Sequence, residues 1–596
     1  MIRDRQPPIG DYAFLSDCQS VALVSRAGSI DWCCVPRIDA GSVFGRLIDW
    51  ERGGYCLVGP AEGGEFFRKY RDQSLVLETV LRAGGGEARL LDCLVVEPEA
   101  DEAHLLRVVE GVRGELDLCV EVCPRFDYGE VRPWLRRDGP RLHCAIGGND
   151  ALVISCDADL EPSGGHDLTG RFTVRAGERV RLSLRFSRPH LVDQLPPPPR
   201  PEELDRLVEA SVRWWDRWAA VGRIEGEDAG GMLRSALVLK GLTNRATGAI
   251  AAAATASLPE VEGGERNWDY RFSWVRDSTL AVRALAELGF EAEADRFRRF
   301  IQRSAAGHVD DLQIAYGVGG ERRLPEFELG AAGYGGARPV RIGNTAGTQR
   351  QLDVLGELVL LAWRWHRRGY SPDDDHWRFL AELVDAAAER WPEPDHGIWE
   401  VRGTPRHFVH SKVLCWVALD RGIALSEECL RRAPVRRWRA AAAELREAVE
   451  DRGYDRDRGV FVRAFDERTM DAALLLLPVA GFLEYTDERM VRTVDAIRAE
   501  LETDGFLWRY RGDEIPGGEG AFLPCTFWLA ECLARQDRYE EARAVFDCAA
   551  SAANDLGLFS EEYDLKRQRA LGNFPQTLTH LSHIAAGAAL ARVPAA

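Results

Sequence analysis

At 596 residues the chain is too long for one ordinary hydrophobic core, and usual domain sizes divide it into roughly two to four domains. Hydrophobic residues at 45% and charged residues at 29% exclude a wholly disordered chain. Lys and Arg number 77 against 95 Asp and Glu, and the resulting net charge of −18 repels phosphate backbones and anionic membrane surfaces, so nucleic acid is not an expected partner. The opening MIRDRQPPIGDY carries no apolar leader, and no stretch reaches the roughly 18 apolar residues of a membrane span, so a cytoplasmic protein is expected.

Residues 1–195 read as an antiparallel β-sandwich. Leu116, Leu118, Val120 and Val122 alternate with polar or small residues, as do Val180, Leu182, Leu184 and Phe186, the period of half-buried strands. Of the 14 Cys, nine fall between Cys18 and Cys156 with no CxxC pair, which suits reduced, buried thiols better than a disulfide framework. Pro196 to Pro199 followed by Pro201 cannot continue a ladder and marks a linker. A connecting helix over about 202–220 is predicted from Leu204, Leu207, Val208, Val212 and Trp215, so that residues 196–230 join two domains.

From 231 to 596 the period changes to 3.6. Helices are predicted at Thr279 to Leu288, Gln351 to Arg367, Trp377 to Trp391, Arg437 to Val449, Cys525 to Arg535 and Tyr539 to Asn554. About a dozen helices with no alternating strands fit a toroid of helical hairpins better than an α/β barrel.

The interhelical loops are rich in aromatic, acidic and Arg residues, where function is expected. Asn267-Trp-Asp-Tyr-Arg-Phe-Ser-Trp-Val-Arg-Asp277 offers flat rings for a pyranose and a charged pair, Arg276 and Asp277, for its hydroxyls; an aromatic core segment has the same composition. In Gly397-Ile-Trp-Glu-Val-Arg-Gly403, Glu400 follows Trp399, whose apolar wall would raise a carboxyl pKa, though Glu400 could equally pair with Arg402 in a turn. Leu558-Phe-Ser-Glu-Glu-Tyr-Asp564 holds two adjacent carboxylates, suited to activating water or to a solvated acidic turn. Trp508-Arg-Tyr precedes Gly517-Gly-Glu-Gly-Ala-Phe522, where Arg509 gives a rigid donor fork and the glycines leave backbone amides open to a ligand. Gln349-Arg-Gln-Leu-Asp353 begins a helix. His407 and His410 lack a third partner in sequence, so no metal site is expected, and no phosphate-binding loop or serine nucleophile elbow occurs.

The order of these motifs resembles the family-15 glycoside hydrolases, in the bacterial branch of trehalases and glucoamylase- or glucodextranase-like enzymes. Pro7-Pro-Ile-Gly-Asp-Tyr-Ala-Phe-Leu-Ser-Asp17 and Gly28-Ser-Ile-Asp-Trp-Cys-Cys-Val-Pro-Arg37 resemble the trehalase-type amino-terminal domain of that branch. The resemblance implies a β-sandwich followed by an (α/α)6 barrel with a blind pocket. It implies Glu400 as general acid, Glu561 as general base, and Tyr270, Trp274, Arg276, Asp277, Trp399, Arg509 and the more weakly placed Asp353 as holders of the terminal glucose. Where fungal members carry Gln after the base, this chain has Glu562, so two carboxylates compete for that role. The implied reaction is inverting, exo-acting hydrolysis of a small α-glucoside without a cofactor, with α,α-trehalose first among substrates and isomaltose, dextran ends and malto-oligosaccharides as alternatives. A disaccharide phosphorylase and a non-catalytic sugar-binding protein are the readings of other classes.

Overall fold

The computed structural model describes residues 6–97, 102–194, 197–512 and 518–592. Pro196 of the predicted linker and Gly517 of the glycine run lie outside them.

The amino-terminal part is built from two eight-stranded antiparallel sheets. In the first, Glu115–Cys123 lies between Tyr55–Pro60 and Asp167–Arg175, with Val120 opposite Val58 and Gly170. In the second, Arg179–Ser187 lies between Asp150–Cys156 and His104–Arg113. Alternation in both predicted strands has the expected cause: Leu116, Leu118, Val120 and Val122 of the first sheet share one core with Leu90, Val109, Leu182 and Leu184 of the second. Arg107 is fully buried between the sheets. Its guanidinium donates to Asp92 Oδ1 at 2.6 Å within its own sheet, and to the carbonyls of Cys56 (2.6 Å) and Gly28 (2.7 Å) on the other side. A charge so placed holds only because every face of it is hydrogen-bonded. All 14 cysteines are unpaired, and all but Cys429 and Cys548 are buried.

The predicted connecting helix is Pro201–Ala219. Leu204, Val208 and Val212 pack on Val76, Leu91, Cys93, Leu106 and Val108, covering the outer face of the second sheet. Near its end, Trp218 stacks on Phe290 at 4.2 Å and so ties the sheets to the helical part.

From Ala229 onward the structured core is helical, with twelve α-helices among the described residues, one of them only four residues long. The helices expected from periodicity are present at Arg276–Glu287, Asp353–His366, Asp374–Arg390, Val435–Arg452, Leu523–Arg535 and Tyr539–Ala550. Ala229–Gly241, Glu291–Ser304, Val409–Glu428, Glu488–Leu501 and Thr577–Ala591 were not named among them, and of these Val409–Glu428 and Thr577–Ala591 are buried on most sides and show no single apolar stripe. Val435–Arg452, by contrast, buries one stripe of Trp438, Ala441, Leu445 and Val449. No helix among the described residues is long and apolar enough to cross a membrane.

Candidate active site

Short hairpins in the interhelical loops carry the site. Ala256–Pro259 pairs with Asn267–Asp269, Ser273–Trp274 with Ala315–Tyr316, and Ala521–Phe522 with Glu562–Asp564, which in turn pairs with Arg569–Leu571. Two of these pairings join separate loops, Trp274 with Ala315 and Ala521 with Tyr563, and side-chain contacts such as Arg276 with Glu400 reach farther along the chain. Five predicted residues, Tyr270, Trp274, Trp399, Glu400 and Arg509, line one pocket. Tyr270 and Trp274 meet edge to face at 5.5 Å, and the Trp399 indole N–H donates to Asp471 Oδ1 at 2.9 Å, which fixes the ring as a wall.

Glu400 sits in a left-handed backbone conformation, φ +49°, unusual for a residue with a side chain and a form of strain that collects at functional positions. The preceding turn is closed by its own N–H donating to Gly397 O and by Val401 N–H donating to His396 O, both at 3.2 Å. Its carboxylate accepts from Arg276 Nη1 at 3.0 Å and keeps 16% exposure. Burial pushes its pKa up, while Arg276 and the Trp274 indole N–H act against that rise. The pairing with Arg402 considered from sequence does not form, since Arg402 donates to Glu326 instead, at 3.1 Å.

Glu561 and Glu562 are both buried, at 1% and 0% exposure, which excludes a solvated acidic turn. They have different surroundings. Glu562 accepts from Gly520 N–H at 2.8 Å and faces Arg509 at 3.4 Å, within a cage in which Arg266 and Arg509 are shared among Glu260, Glu519 and Glu562. The glycine run therefore gives its amide at 520 to a carboxylate of the protein. Glu561 accepts from Asn573 N–H through Oε2 at 3.3 Å. Among the described residues its buried Oε1 has no well-aligned hydrogen-bond partner, and the nearby Tyr270 hydroxyl lowers the pKa of the carboxyl. Burial and then the charge of Glu260 drive that pKa upward more strongly. Asn573 is itself held, its amide donating to Trp268 O at 2.9 Å and its Oδ1 accepting from Thr255 at 2.9 Å.

Four predicted residues do not line the pocket wall. Glu561 stands beside Tyr270 and Glu260, which do. Arg276 and Asp277 pair with each other at 2.8 Å at the start of Arg276–Glu287, and Arg276 reaches the site through Glu400. Asp353 is 2% exposed behind that pair, with its pKa raised well above normal by burial and by Asp395, and lies 3.8 Å from the buried His410. His407 stacks on Phe465 instead, so the two histidines do not converge.

Glu260, Arg266, Trp268, Asn344, Arg402, Arg463 and Tyr510 also line the pocket. Trp268 and Tyr510 lay inside motifs recognised in the sequence without being singled out, and Arg402 was weighed there only as a partner of Glu400. Glu260, Arg266 and Arg463 had no local signal, because their place depends on pairings with distant segments.

Residues 226–588 match the model of glycosyl hydrolases family 15, and residues 1–195 match that of the trehalase-like amino-terminal region. The chain belongs to glycosyl hydrolase family 15. This family-15 glycoside hydrolase is 39% identical to a trehalase of Mycolicibacterium smegmatis over 98% of its own length and 91% of the relative's. It is 33% identical to a trehalase of Thermoplasma volcanium over 97% of its length and 93% of the relative's. A bacterial glucoamylase solved with acarbose shares its fold with a TM-score of 0.72 at 13% identity, covering 98% of this chain and 94% of the other. The family-15 match covers the helical part, the trehalase-like match covers the sheets, and the trehalase relatives extend over both.

Proposed function

We propose that the protein is an inverting, exo-acting α-glucoside hydrolase, an α,α-trehalase, with Glu400 as general acid and Glu561 as general base. The observation that carries this is the enclosure of a partly exposed carboxyl, Glu400, in an aromatic pocket with Tyr270, Trp274, Trp399 and Arg509, in a chain resembling trehalases over nearly its full length. In this reading residues 1–195 form a β-sandwich, 196–230 the linker and connecting helix, and 231–596 an (α/α)6 barrel. The helices buried all round supply its inner ring, and those with a single apolar stripe the outer one. Fourteen unpaired thiols suit a reducing cytoplasm.

Glu400 protonates the departing glycosidic oxygen. Burial keeps the acid form populated, and Arg276 holds its orientation. Glu561 takes a proton from water on the opposite face of the ring, with Oε1, which lies near the Tyr270 hydroxyl and has no well-aligned partner among the described residues, as the acceptor. Inversion places the two carboxyl groups about 6.5–9.5 Å apart, with the water between base and anomeric carbon. Glu562 is committed to the Arg509 cage, which favours Glu561 as the base. Tyr270, Trp274 and Trp399 stack on or flank the terminal glucose, and Arg509 donates to it. Arg276, Asp277 and Asp353 support the site from behind the wall.

The test is glucose release by purified protein from trehalose, isomaltose, maltose and maltotriose. Turnover of trehalose well above the other three is expected, and preference for maltotriose contradicts the reading.

A further inference from the structure

The pocket has a depth gradient. At its floor, the side chains of Arg509 and Glu260 are 5% and 1% exposed, whereas Arg402, two residues beyond Glu400, is 36% exposed. An exo-acting hydrolase buries the terminal ring and leaves the departing ring toward the mouth. The acid touches the oxygen between the two rings, so the segment Val401, Arg402 and Gly403, which follows Glu400 along the wall, borders the second sugar.

Arg402 is held there on two sides. Its guanidinium stacks on the Trp268 ring at 3.8 Å, and its Nη2 donates to Glu326 Oε2 at 3.1 Å. Arg341 stacks on the same ring at 4.4 Å and faces Glu326 at 3.6 Å. A planar cation fixed flat on an indole retains further N–H donors in a set direction, which suits neighbouring hydroxyls of a sugar.

The mount of this clamp is the β-rich amino-terminal part. Glu326 adjoins the hairpin of Phe327–Leu329 with Val340–Ile342, and the loop of that hairpin is pinned by Gly333 N–H donating to Ile48 O at 2.9 Å and Ala332 N–H to Asp49 Oδ2 at 3.1 Å. Trp268 lies on Asn267–Asp269, where Asp269 is gripped by the fully buried Arg271. That arginine also donates to Ala40 O and to the Tyr128 hydroxyl, both at 2.7 Å.

We infer that Arg402, clamped by Trp268 and Glu326, recognises the leaving sugar, and that the amino-terminal part positions this clamp and so sets the preference for a disaccharide. This inference rests on the proposed hydrolase reading. The test compares kcat/KM on trehalose with kcat/KM on α-glucosyl fluoride, which has one glucose ring and a leaving group that needs no sugar site. In Arg402→Ala the ratio of trehalose to fluoride is expected to fall about tenfold or more, the cost of losing hydrogen bonds that recognise hydroxyls. Glu326→Ala, which releases Arg402 without touching the pocket wall, is expected to lower the ratio in the same direction by raising KM for trehalose more than it lowers kcat. Ratios in both variants within about twofold of the parent protein overturn the inference. If the parent protein splits the fluoride but not trehalose, the trehalase reading falls, and the same ratio is taken with whichever disaccharide it does split.

Discussion

Gly572 lies against Glu561: a Cβ built on it would stand 2.6 Å from Glu561 Oε2 and 2.8 Å from its Cβ, at a φ of +70° that side chains rarely adopt. The glycine is what lets Glu561 occupy its place. Gly572→Ala is therefore expected to displace the carboxylate, with a loss in kcat of about 10²-fold, the scale of a misplacement near 1 Å, and a much smaller change in KM. Steady-state kinetics on trehalose check this, and an unchanged kcat counts against Glu561 as the base.

The adjacent carboxylates give a second prediction. Glu561→Gln is expected to lower kcat by about 10²–10⁴-fold, the contribution of a general base, while substrate binding survives. Glu562→Gln weakens a link to Arg509 in the cage and is expected to cost far less in kcat, with part of its effect in KM. The reverse order of severity would transfer the base to Glu562.

The pH profile follows from the causes of the two shifts. With Glu561 as the proposed base, which acts when ionised, activity is expected to rise with pH through its pKa, which burial and then Glu260 push up. With Glu400 as the proposed acid, which acts when protonated, activity is expected to fall as pH climbs through its pKa, which burial raises and Arg276 lowers. Glu260→Gln removes a raising charge and moves the acidic limb of kcat/KM to lower pH. Arg276→Gln removes a lowering charge and moves the alkaline limb to higher pH. Limbs that stay in place in both variants contradict the assignment.

Period and spacing made much of the fold legible. Val120 and Leu184 announced their strands because one face of each meets the other sheet, and Trp438 and Leu445 announced a helix with one apolar stripe. Helix Val409–Glu428 shows no single stripe because most of its sides are buried. At the site, Glu400 was visible as a motif, while its partner Arg276 lies 124 residues away in sequence, and Arg509 meets Glu260 across 249. Such pairings are made by tertiary structure and leave no local pattern, which is also why Glu260 and Arg463 went unnoticed.

Stability of the amino-terminal part rests in one measurable degree on Arg107. Asp92→Ala leaves that arginine buried without its charge partner, and a destabilisation of about 3–5 kcal/mol is expected by denaturant unfolding. A loss under about 1 kcal/mol would show that the carbonyls of Cys56 and Gly28 suffice to hold it.

Inversion by the proposed Glu400 and Glu561 pair is read in the anomeric form of the glucose first released from trehalose. Inversion at one ring gives β-glucose from that ring and α-glucose from the departing one, so proton NMR at early times is expected to show the two anomers in about equal amounts, before mutarotation. Release of α-glucose alone would mean retention, and would contradict the roles given to both carboxylates.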